Sequence, residues 1–151
     1  MSGSGGMIAQ TIQLALAPVF VLVAIGNIMN ILSSRLGRVV DRSRVLQQRH
    51  RETEGPEHDA VVREIRMTDN RIKLIGRALL LLVLSGLAIG LTVALLFLEE
   101  FASTSLQPFA AGVFIVAIAL LMSALLLFLK ETREATEALP IPRDYLELDS
   151  Q

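Results

Sequence analysis

The sequence predicts an all-α membrane protein: three transmembrane helices, with a cytoplasmic antiparallel helical hairpin formed by extensions of the first two. Three observations carry that expectation. Leu14–Leu32, Ala78–Leu98 and Phe109–Leu129 are runs of 19, 21 and 21 residues without one Asp, Glu, Lys, Arg or His. In a helix, about 20 apolar residues cross a hydrocarbon core about 30 Å thick. All 14 Lys and Arg lie between residues 33 and 77 or beyond Leu129, the stretches that three spans place on one side of a membrane. Finally, Gly55-Pro56 interrupts an otherwise unbroken helical pattern between the first two runs. Proline cannot continue a helical ladder but suits the first position of a new helix.

The elements follow in chain order. Residues 1–6 (Met-Ser-Gly-Ser-Gly-Gly) read as an added linker, so the natural chain is expected to begin at Met7. The first transmembrane helix covers 7–35, with Pro18 near its outer end. It lacks the basic n-region and small-residue cleavage site of a secretory signal, so a retained span is expected. Residues 36–77 form the hairpin. Its returning arm carries Val61, Ile65, Thr68, Ile72, Ile75 and Leu79 at spacings of 4, 3, 4, 3 and 4, an amphipathic stripe that runs straight into the second transmembrane helix at 78–98. The outgoing arm has the weaker set Leu36, Val39, Val40, Val45 and Leu46. An external turn at 99–108 leads to the third transmembrane helix at 109–129, and 130–151 is a cytoplasmic tail. Each hairpin stripe is thin, and stacking several copies buries more apolar surface, which favours a homo-oligomer.

Charge sets the orientation. Residues 33–77 carry eleven Lys and Arg against seven acids, while 99–108 holds Glu99 and Glu100 and no base. Lys and Arg in short flanking segments stay on the cytoplasmic side. The expected topology therefore has the N-terminus outside and the C-terminus in the cytoplasm.

Composition excludes several classes of function. The chain is 52% hydrophobic and 19% charged with a formal net charge of −1. Soluble domains run near 25% charged, so an ordinary soluble domain, a disordered chain and a strongly basic nucleic-acid binder are all disfavoured. No cysteine is present, which removes disulfides and thiolate metal sites. His50 and His58 flank the Gly-Pro turn without a third ligand at metal-binding spacing. The apolar runs hold no carboxylate, histidine or lysine for a proton relay. No Gly-rich phosphate loop, nucleophile elbow or zinc helix occurs. Neither catalytic residues nor a cofactor nor a metal are therefore expected.

Polar residues inside the first span are the main functional signal. Asn27, Asn30 and Ser34 fall close to one helical face, and an amide without a partner in hydrocarbon is costly. Three readings are open: hydrogen bonding between helices, the lining of an aqueous path, or amides close enough to the interface to reach lipid headgroups. Arg35, Arg38 and Arg42 follow directly. They suit a collar that binds anionic lipid headgroups, or a cationic ring at the mouth of a pore. Asp41, three residues from both Arg38 and Arg44, is the expected ion-pair partner within the helix. In the second span Gly86 and Gly90, with Ala94 a turn further, form a small-residue row that permits close helix packing.

The segment Leu16-Ala-Pro-Val-Phe20, then Asn30-Ile-Leu-Ser-Ser-Arg-Leu-Gly-Arg-Val-Val-Asp-Arg42, then Arg71-Ile-Lys-Leu-Ile-Gly-Arg-Ala78 resembles a family of small bacterial inner-membrane proteins described as a domain of unknown function. The resemblance covers about 7–130. It implies a three-span protein of the bacterial inner membrane, with Pro18, Asn30, Arg35, Arg38, Asp41 and Arg42 on the family's pattern, and it supplies no activity.

Two functions are thus expected to compete. One is a homo-oligomeric pore or channel-like assembly lined by Asn27, Asn30 and Ser34 of the first helix, with Arg35 and Arg38 at its cytoplasmic mouth. The other is a non-conducting scaffold or adaptor that docks a cytoplasmic protein partner on the hairpin. Both place the chain in a lipid bilayer with anionic headgroups and neither involves nucleic acid.

Overall fold

The computed structural model describes residues 3–102 and 105–137, all but a few of them helical. Helix α1 runs Gly3–Glu52, α2 Pro56–Ala102 and α3 Gln107–Glu137. At about 1.5 Å per residue, α1 and α2 are each about 70–75 Å long and α3 about 46 Å. Each contains a stretch long and apolar enough to cross a membrane. The last fourteen residues, 138–151, and residues 103–104 lie outside the described residues, so most of the expected tail and part of the external turn are among them.

The turn between α1 and α2 is short and has a clear cause. Gly55 adopts φ 68°, a left-handed conformation that glycine takes without penalty. Pro56 opens α2, and the Asp59 N–H donates to the Gly55 carbonyl at 3.3 Å. Thr53 Oγ1 donates back to the Arg49 carbonyl at 2.9 Å, which closes the end of α1. The His50 and His58 rings meet across the turn with centroids 4.3 Å apart, and His58 Nδ1 lies 3.1 Å from the Thr53 carbonyl. Among the described residues, no cluster of three or more His, Asp or Glu is placed to hold a metal ion.

From that turn α1 and α2 run antiparallel. Arg42 pairs with Glu64, and Gly86 lies beside Leu22 and Ile25. Helix α3 returns along the other side of α2: Ser85 Oγ donates to the Ala117 carbonyl at 2.7 Å, and Arg71 reaches Glu131. Helix α2 is thus the central element, in extensive contact with both neighbours.

A seven-residue period organises the packing. On α1 Pro18, Ile25, Leu32, Val39 and Leu46 are buried at every seventh position, with Ala15 buried one turn before Pro18. Helix α2 carries two such seams, Val61-Thr68-Ile75-Leu82-Ile89 and Ala78-Ser85-Thr92. Helix α3 buries Ala110, Ala117, Ala124 and Glu131. Seven residues over two turns is 3.5 per turn, the repeat that keeps a seam in register along helices wound in a left-handed supercoil. Small side chains at the α2–α3 seam let these backbones approach closely, as membrane helices require when no hydrophobic drive separates protein from lipid. Of the two glycines expected to serve packing, Gly86 does face α1, where an added Cβ would lie 3.6 Å from Leu22 Cδ1. Gly90 is exposed, with open space where a Cβ would stand.

Along the three apolar runs the outer surface is largely apolar. Phe20, Val23, Leu80, Leu87, Phe109, Ile115 and Leu126 are among many large hydrophobic side chains left exposed. An apolar surface this continuous is a lipid-facing or subunit-facing surface rather than one in contact with water.

Candidate functional site

Where the apolar runs end, one charged side chain from each helix converges. Glu131 of α3 is fully buried. Its Oε2 accepts from Arg35 Nη1 of α1 at 2.9 Å, and its Oε1 accepts from Arg71 Nε and Nη2 of α2 at 3.1 and 2.9 Å. Arg35 Nη1 also donates to Thr132 Oγ1 at 3.2 Å, and its guanidinium stands 5.1 Å from the centre of the Phe128 ring, within cation–π range. Both arginine side chains remain about one-third exposed (31% and 33%). The carboxylate is buried while the two cations keep access to the surface, as long Arg stems allow. A buried charge without a partner would be expelled or neutralised. Two guanidiniums on one carboxylate satisfy both of its oxygens and tie all three helices at a single level.

Beside this triad lies a cleft of about 300 Å³ lined by Arg35, Arg38, Val39, Arg42, Thr68, Arg71 and Ala135. Four guanidiniums border it. Arg42 is held by Glu64, whose Oε1 accepts from Nε and Nη2 at 2.9 and 2.6 Å. Thr68 Oγ1 donates to the Glu64 carbonyl. Arg38 has no hydrogen-bond or ion-pair partner among the described residues. Four cations therefore face two carboxylates, Glu131 and Glu64, so the cleft keeps a positive balance.

The residues singled out in the sequence divide into two groups. Asn27, Asn30 and Ser34 are exposed, on the side of α1 opposite its buried seam. The exposed stripe runs Phe20, Val23, Asn27, Asn30, Ser34, Gly37, Asp41 and Arg44, at alternating steps of three and four. Hydrogen bonding of the two amides to α2 or α3 of the same subunit does not occur among the described residues. Arg35, Arg38 and Arg42 do not continue that stripe. They line the interhelical cleft, with Arg35 and Arg42 engaged by carboxylates. The charges that do continue the stripe are Asp41 and Arg44, which form a loose pair at 4.0 Å, both 77% exposed. Asp41 thus pairs with Arg44 and not with Arg38.

Sequence reasoning missed Glu131, which was grouped with the tail. A signal for it existed. Ala110, Ala117 and Ala124 recur every seven residues, and Glu131 occupies the next position of that repeat. Arg71, which the sequence marks only within the segment Arg71–Ala78 that carries the family resemblance, is its partner.

With the geometry in place, comparison with known proteins decides the family. The family described as "Protein of unknown function (DUF2721)" matches residues 15–141. The chain belongs to the DUF2721 family. That match spans the cleft, the triad, the second and third apolar runs and all but the first residue of the first run of this DUF2721 protein. No curated protein and no solved structure matches it.

Proposed function

We propose that this DUF2721 protein is a subunit of a homo-oligomeric, pore-like assembly of the bacterial inner membrane, in which the exposed stripe of α1 faces the centre. The observation that carries the reading is the position of Asn27 and Asn30: outward on α1, inside an uncharged run, with no hydrogen-bond partner among the described residues of their own subunit. By helix rise they stand about 12 and 8 Å along the axis from Arg35. In a lone subunit, both amides would meet acyl chains. Around a common axis, they meet the amides of other copies or water, and either removes the cost.

The same stripe gives the path a character. From Ser34 to Asn27 it is polar, whereas Val23 and Phe20 carry it on as bulky apolar side chains. A polar vestibule that ends in an apolar constriction is a gate of the kind that closes by dewetting. At the cytoplasmic end the stripe presents Asp41 and Arg44, one charge of each sign, so the arginines set no preference for anions. Retention of Lys and Arg on the cytoplasmic side supports the orientation with the α1–α2 turn and the C-terminus inside.

Purified protein in sealed liposomes tests this reading. Flux above that of empty vesicles, abolished by Asn27→Leu, is the expected result. No flux under any applied potential or osmotic stress removes it. A second reading rests on the exposed Arg63, Arg66 and Met67 of the α2 arm. Here the protein is a non-conducting scaffold that docks a cytoplasmic partner. Charge reversal at Arg63 and Arg66 then abolishes partner capture, while Asn27→Leu is silent.

A further inference from the structure

We propose that the cleft between the three helices binds a phosphate group, carried by an anionic lipid headgroup or free in solution. The proposal is independent of whether copies associate, since every lining residue comes from one subunit.

Unspent hydrogen-bond donors define the site. A guanidinium has five N–H donors. At Arg35, Nη1 serves Glu131 and Thr132, leaving Nε and Nη2 without partners among the described residues. Arg71 uses Nε and Nη2 on Glu131, and Arg42 uses the same two atoms on Glu64. Each leaves Nη1 free. Arg38 leaves all of its donors. These groups, three on α1 and one on α2, border one cavity that α3 closes with Ala135, and the Glu131 triad fixes the three helices relative to one another. Planar guanidiniums that converge from several directions match the tetrahedral oxygens of phosphate and bind them through paired, charge-assisted hydrogen bonds.

Glu131 does not compete for this role. Both of its oxygens are occupied by Arg35 and Arg71, and it is absent from the cleft's lining. The ion pairs pre-orient the arginines while leaving a surplus of positive charge. Val39 and Ala135 supply apolar wall. About 300 Å³ is at the small end of ligand pockets, which suits a single phosphate with a short substituent. The depth also fits: Arg35 lies three residues beyond the uncharged run of α1, and Glu131 two beyond that of α3, where lipid phosphates lie.

The test measures retained lipid by native mass spectrometry of the full chain, released from micelles doped with phosphatidylglycerol or with phosphatidylcholine of the same acyl chains. One phosphatidylglycerol per chain is expected, in preference to phosphatidylcholine, whose choline cation the arginines repel. Arg38→Gln should weaken retention about tenfold, the loss of one charge-assisted contact. Ala135→Leu, which fills the cleft without changing charge, should do the same. Arg63→Gln, on the exposed arm outside the cleft, should leave retention unchanged. Competition by inorganic phosphate distinguishes the sources. Displacement of the lipid by phosphate marks a general phosphate site, and lipid held against phosphate marks a headgroup site. The proposal is overturned if neither probe binds in preference to its control. It is also overturned if Ala135→Leu binds as well as the parent, or if Arg63→Gln is as damaging as Arg38→Gln. Either result assigns the binding to diffuse surface charge.

Discussion

Replacing Glu131 by Gln keeps the shape of the buried side chain and removes its charge. The structure sets the size of the effect. Three guanidinium hydrogen bonds end on the Glu131 carboxylate. The amide keeps one oxygen and turns its NH2 group toward a cation. Breaking a fully buried ion pair costs about 3–5 kcal/mol, mostly from the charge left unpaired. Here the stranded charges are the two arginines, each about one-third exposed, so both regain part of their hydration. A loss of about 2–3 kcal/mol follows. For a chain of this size it lowers the melting temperature by about 4–12 °C. The chain has no Trp, so the convenient assay is to heat protein in detergent and quantify the monodisperse gel-filtration peak that survives. Arg71→Met alone should cost a similar amount, and the double variant clearly less than the two losses combined. Replacing all three charges with Met and Leu should return stability to within about 1 kcal/mol of the parent, as buried ion pairs often exchange evenly for apolar packing. A shift below about 2 °C for Glu131→Gln, or strictly additive single losses, refutes the triad as the tie between the helices.

Other expectations test the packing and the exposed stripe. Ala117→Leu overfills the α2–α3 seam, where Ala117 is fully buried, and should destabilise by about 1–3 kcal/mol in the same heating assay. A double-mutant cycle on Arg42 and Glu64, which are 50% and 44% exposed, should give a coupling of only about 0.2–1 kcal/mol. A value as large as that of the Glu131 triad would mean that the arms beside the Gly55 turn, not the triad, carry the electrostatic stabilisation. Val23→Asn extends the polar part of the α1 stripe outward and should raise basal flux in liposomes. Unchanged flux would deny that Val23 forms part of a constriction.

The backbone plan was readable because membrane length and the Gly55-Pro56 break act locally. Nineteen to 21 uncharged residues have few alternatives to a spanning helix, and a glycine in left-handed geometry before a proline ends one helix and starts another. The Val61, Thr68 and Ile75 stripe was readable for a similar reason: its spacing is that of a helix face, and all three are buried. What escaped was partnership across helices. Arg35, Arg38 and Arg42 were legible as a basic group. Their direction depends on the register of α1 against α2 and α3, which no single helix encodes. Glu131 stayed hidden because two residues beyond an apolar run reads as solvent-exposed tail. Only the continuation of the alanine repeat turns it inward. Spacing alone puts the amides on one face of α1, but which side of the subunit that face occupies depends on the buried seam at Ile25, Leu32 and Val39.

The most direct measurement of the central claim exploits the absence of cysteine. Asn30→Cys places a single thiol on the exposed stripe of α1, and Leu126→Cys places one on the exposed, apolar face of α3. Oxidation in native membranes, followed by non-reducing electrophoresis, reads which face meets another copy. Association of copies through the α1 stripe predicts rapid disulfide-linked dimer from Asn30→Cys and little from Leu126→Cys. A chain that stays monomeric with Cys at position 30, or that crosslinks as fast from position 126, contradicts it.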